Sequence, residues 1–139
     1  MADQNQISEP PAFNAPAVVL GLVGALFGVH LLANFMDPAE ANRLIAYFAL
    51  SPARYAPLAT GEVVPLPGGM LVDLAGFVTH IFLHADWGHL IFNSIWLLAF
   101  GTPVARRFGA IRFLIFFLLC GIIGGLTHVI LHAGELVFV

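Results

Sequence analysis

The sequence predicts an all-α membrane protein, and three observations carry that prediction. Of 139 residues, 60% are hydrophobic and only 9% are charged, whereas a soluble domain carries about a quarter charged residues. The mean hydropathy is +0.94, and such a chain cannot clothe itself in polar surface. Three stretches approach the roughly 20 apolar residues that a helix needs to cross about 30 Å of hydrocarbon.

Residues 1–16, MADQNQISEPPAFNAP, are polar and proline-rich and are expected to be a disordered tail. A secretory leader opens with positive charge, but this segment holds Asp3 and Glu9 and no cation. The apolar run that follows therefore reads as a retained span. The membrane domain occupies residues 17–139, with spans at about 17–36, 88–104 and 111–132 and a long loop at 37–87. Within that loop, Pro38 suits a first helical turn. Leu44, Ile45 and Phe48 then fall on one face, which predicts a short amphipathic helix. APLATGEVVPLPGGM reads as irregular chain, and LVDLAGFVTHIFLH is apolar again. A loop this hydrophobic is expected to lie at the membrane surface or on the ends of the spans.

Charge sets the expected orientation. The net charge is −3 and there is no lysine. Three of the five arginines, Arg106, Arg107 and Arg112, flank the short link between spans two and three. Short positive links stay cytoplasmic, so the N-terminus is expected inside and residues 37–87 outside. No basic patch points to nucleic acid. The single cysteine, Cys120, excludes an intramolecular disulfide. Gly24 and Gly28, and again Gly121 and Gly125, have the small-xxx-small spacing that lets helices approach in lipid, and both pairs are expected to pack.

Polar groups at membrane depth are functional by default, and this chain gathers them around the start of span two. His89 and Asn93 lie four residues apart, hence on one helix face, and both can donate hydrogen bonds. Two donors converging beneath a wet mouth suit a developing oxyanion, where one donor is worth about 3 kcal/mol. Span three runs the other way. His128 lies roughly 25 Å along it at 1.5 Å per residue, which brings His128 and His132 to the same end as His80, His84 and His89. His30, on span one, stays outside this group. His80/His84 and His128/His132 also have spacings that suit iron, zinc or copper. No acid, however, is expected beside the third-span pair, and the plainer reading leaves His80, His128 and His132 at the interface. Acyl transfer also needs a nucleophile and a base. Of Ser8, Ser51 and Ser94, none is placed beside a base; Ser94 turns about 100° from Asn93 on its helix.

The array His84-x4-His89-x3-Asn93, followed by WLLAFGTPVARRFGA with Gly101 and Gly109 about a basic turn and then a glycine-rich third span, resembles the rhomboid family of intramembrane serine proteases. The resemblance covers roughly residues 70–139. It implies three of the spans of a six-helix bundle that cuts transmembrane helices of other proteins within the bilayer. It implies oxyanion stabilisation by His89 and Asn93 and support from His84, with no cofactor and no metal. The family's serine and histidine dyad, and its Gly-x-Ser-Gly segment, do not occur in residues 1–139. A Trp-Arg pair often found in the loop is replaced by Ala75-Gly76, and a glutamate after span two by Ala105. The expectation is a family fragment, inactive alone and prone to self-association through its uncovered face, in a bacterial inner membrane. The alternatives are a non-catalytic rhomboid-like binder of transmembrane helices and a haem- or metal-binding membrane protein.

Overall fold

The computed structural model describes residues 14–139, and within them the protein is all-helical. The predicted disordered tail lies, apart from its last three residues, outside the described residues. Helix α1 (Ala17–Phe35) is the first span. The second is α4 (Trp87–Trp96), continued through a π-helical turn at Leu97–Gly101 into α5 (Thr102–Phe108). The third is α6 (Ala110–Leu131). These are three helices long and apolar enough to cross a membrane, the second running over the whole of Trp87–Phe108. The chain is an integral membrane protein.

The spans meet at the turn end of the bundle. Gly109, at φ +82°, opens the link between α5 and α6 in a backbone region that favours glycine. Just inside it, Val19, Ala105 and Phe113 form the buried core, with Leu22, Leu97 and Val104 packed around them. A Cβ on Gly101 would meet Phe113 Cζ at 3.1 Å, so the π turn brings bare backbone against that ring. Arg106 reaches back to the Asn14 carbonyl.

The loop end is built differently. Pro38 opens α2 (Pro38–Phe48), and α3 (Met70–Thr79) continues as a 3-10 turn at His80–Phe82. Between them the chain is irregular apart from a 3-10 turn at Pro52–Arg54. The stretch is held by Arg54, whose side chain is only 2% exposed. It pairs with Asp73 at 2.9 Å, donates to the Pro67 carbonyl at 3.0 Å and reaches the Ala46 carbonyl. Tyr55 donates to the Asp73 carbonyl at 2.6 Å. Burial, then the Asp73 charge, pushes the Tyr55 hydroxyl above the usual phenol range, with Arg54 opposing. Thr79 donates to the Phe48 carbonyl at 2.6 Å and ties the ends of α2 and α3 together. Leu50 and Val139 exchange two backbone hydrogen bonds of 2.9 and 3.0 Å, so the segment after α6 lies along the loop.

The loop packs on the spans, and this corrects the expectation for the glycines. Gly24 and Gly28 meet nothing within 4 Å among the described residues. They lie on the face of α1 opposite its buried stripe of Val19, Leu26 and His30. Gly121 and Gly125 do pack, but against the loop: a Cβ on Gly121 would run into Ile81, and one on Gly125 would lie 2.7 Å from Leu50 and 2.9 Å from the His80 ring.

Candidate functional site

Asp86 starts the site. It is the N-cap of α4, and its carboxylate accepts the His89 backbone N–H at 2.9 Å, satisfying one of the donors that a helix start leaves open. The first turn of α4 is thereby fixed, and His89 and Asn93 follow one turn apart on the same face. Both line a cavity of about 500 Å³ at the loop end, bounded by α1, α2, α6 and the 80–89 segment. Ser94 is buried, and its hydroxyl has no partner. It is absent from the cavity wall, as its 100° offset requires.

His84 is in direct contact with this pair. The Asn93 amide donates to His84 Nε2 at 3.2 Å. With the amide nitrogen as the donor, His84 Nε2 is the acceptor in this contact. Burial holds His84 below the usual imidazole range, the neighbouring His89 and His30 push the same way, and the Phe82 carbonyl opposes. The His84 and His89 rings meet edge to face with centroids 5.1 Å apart. One of the two Asn93 amide protons is thus spent on His84, and the other remains for an oxygen entering the cavity beside His89.

The structure changes the histidine grouping in two places. His30 is not apart: it is 5% exposed and lines the same cavity. Its position inside a span was the available signal, since a polar side chain there faces the bundle interior. His80 is not left at the interface; it too lines the cavity, and its Nδ1 donates to the Gly76 carbonyl at 2.8 Å. The His128 and His132 rings lie tilted to each other at 36°, with centroids 4.7 Å apart. Contrary to expectation an acid does join them, since Glu135 accepts from His132 Nδ1 at 2.9 Å. Among the described residues, no three His, Cys, Asp or Glu side chains converge as ligands for an ion.

A multi-span helical protein that carries a capped His/Asn face beside an open cavity at one end of its bundle defines a narrow class. Residues 72–139 match the rhomboid domain. A 55-residue stretch is 42% identical to a RHOMBOID-like protein 12, mitochondrial, of Arabidopsis thaliana; the match covers 40% of this chain and 16% of that protein. No solved structure matches the chain. The domain match, confined to the second half of the chain, and this relative support a rhomboid family fragment.

Proposed function

We propose that residues 14–139 form the oxyanion-binding part of an intramembrane serine endopeptidase that cuts transmembrane helices of other membrane proteins. The observation that carries this reading is the Asn93–His84 hydrogen bond, made while His89 shares the cavity one turn away. In this reading the substrate carbonyl oxygen, on becoming tetrahedral, collects the second Asn93 amide proton and a ring N–H of His89. His84, neutral through burial, accepts the first amide proton and so aims the carboxamide. Preorganised donors carry such a step, because they need no rearrangement as charge develops.

The nucleophile and its base must come from outside residues 1–139. Ser51 and Ser94 are both buried, and neither lines the cavity. That same observation favours the second reading, in which the cavity binds a transmembrane helix without cutting it. The partners proposed are transmembrane-helix substrates, with self-association through the face on which His89 and Asn93 are exposed. The proposed setting is a bacterial inner membrane with the arginine turn at Arg106–Arg112 cytoplasmic and residues 37–87 outside, supported by the charge asymmetry of the short link.

The test uses the product of the complete reading frame, reconstituted in liposomes with a reporter bearing one transmembrane helix. Cleavage that falls tenfold or more in Asn93→Ala, as expected for loss of an oxyanion donor, supports the protease reading. Retained binding of the reporter with no cleavage, and no Gly-x-Ser-Gly in the frame, supports the binder and sinks the protease.

A further inference from the structure

All the polar side chains on the cavity wall belong to the segment 80–93, with one exception. That exception is His30, on α1, flanked along the wall by Val29 and Ala33. Its side chain is more than nine-tenths buried, and its Nε2 has no hydrogen-bond partner. Its ring meets Trp87 edge-on, with centroids 4.5 Å apart and planes at 83°. Packing on Trp87 needs an aromatic ring but no nitrogen, and a buried nitrogen without a partner is unfavourable. The packing therefore leaves the polar atom unexplained.

The remaining wall describes the cavity that His30 borders. Leu44, Ile45, Leu83 and Phe138 make most of the cavity apolar. A suitable occupant has an apolar surface and one or two unpaired polar groups. In a membrane that description fits the backbone of a transmembrane segment where its helix has opened, since closed helices satisfy all their backbone groups internally. We propose that His30 is a ligand-binding residue of this cavity, which hydrogen-bonds a backbone group of a locally unwound transmembrane segment from the α1 side while His89 and Asn93 hold it from the α4 side. The inference rests on the proposed function for the nature of the occupant, and adds a residue to the binding wall that the His/Asn array does not contain.

The 139-residue chain, labelled with 15N in its histidine rings, is titrated in detergent micelles with an unlabelled synthetic peptide. The peptide is a single apolar 20-residue helix with Gly-Ala in its outer third, and His30 and His89 resonances are assigned from His30→Gln and His89→Gln. Saturable shifts at both His30 and His89, with His132 unmoved, are the expected result. A shift at His89 with none at His30 overturns the inference and leaves the proposed function standing. No shift at either overturns both. Peptide affinity gives a second reading: His30→Phe, which keeps the ring on Trp87, is expected to weaken binding at least fivefold, and His30→Gln to restore it to within twofold. Equal binding by the Phe variant would reduce His30 to a packing residue and end the proposal.

Discussion

Span one and span three carry glycines at the same spacing, and the two pairs meet opposite surroundings. Gly24 and Gly28 face open space, whereas Gly121 and Gly125 lie beneath Ile81, Leu50 and His80. The difference is not in the local pattern. On α1 the buried stripe runs through Val19, Leu26 and His30, and the glycines fall behind it. On α6 the glycines point to the loop end, where α3 and its 3-10 turn come down onto the span. Small-xxx-small spacing permits close approach, but what approaches is decided by the rest of the fold, and here it is a loop rather than another span.

That comparison can be broken experimentally. Gly125→Leu is expected to cost about 3 kcal/mol through overpacking against Leu50 and the His80 ring, read as loss of thermal stability in detergent. Equal melting for this variant and the parent would remove the loop from the face of α6. Asp73→Asn comes next. It takes the carboxylate, itself 31% exposed, from an Arg54 side chain that is 2% exposed; removing one partner of a fully buried pair costs about 3 kcal/mol or more. The two carbonyls that Arg54 keeps, of Pro67 and Ala46, reduce that to about 2 kcal/mol. Because this clamp holds the loop over α6, Asp73→Asn should also soften the penalty of Gly125→Leu. Strict additivity in the double variant would show that the clamp and the glycine face are independent.

A smaller effect follows from His84. Its pKa is lowered from 6.5 in the folded protein, chiefly by burial, so the unfolded chain takes up its proton first as pH falls. The corresponding stability is complete above pH 6.5 and declines as pH drops below that value toward the folded pKa. The melting temperature should therefore slope downward on acidification, and His84→Gln should flatten part of that slope; an unchanged slope would mean that His84 is solvated. The least change is expected for Gly28→Ala, which meets nothing within 4 Å. Replacing a helical glycine by alanine there should be neutral or stabilise by up to about 1 kcal/mol. A loss of more than about 1 kcal/mol would reveal a contact on the outer face of α1.

Much of the site could be read from spacing alone. His89 and Asn93 share a face because an α-helix returns after four residues, and Asp86 caps that helix because an aspartate before an apolar run accepts the open N–H groups. His84 was readable only as a neighbour; that its Nε2 takes the Asn93 amide proton depends on how the chain turns between His80 and Asp86. His30 lies 54 positions away from His84, and Glu135 was passed over although it stands only three residues beyond His132. Arg54 and Asp73 read as two charges in a long loop, and nothing in their spacing announces a half-buried pair.

The amino-acid sequence by itself determined that this protein is helical and lives in a membrane, with three spans and a basic turn. Those properties come from local transfer energies and from periodicity, which each segment expresses without its neighbours. Only the tertiary structure decided which glycines pack, that the loop roofs the spans, and that imidazoles from α1 and from the 80–93 segment line one cavity. Those outcomes depend on which faces of separate segments meet, and long-range juxtaposition leaves no mark on the order of residues within any one of them.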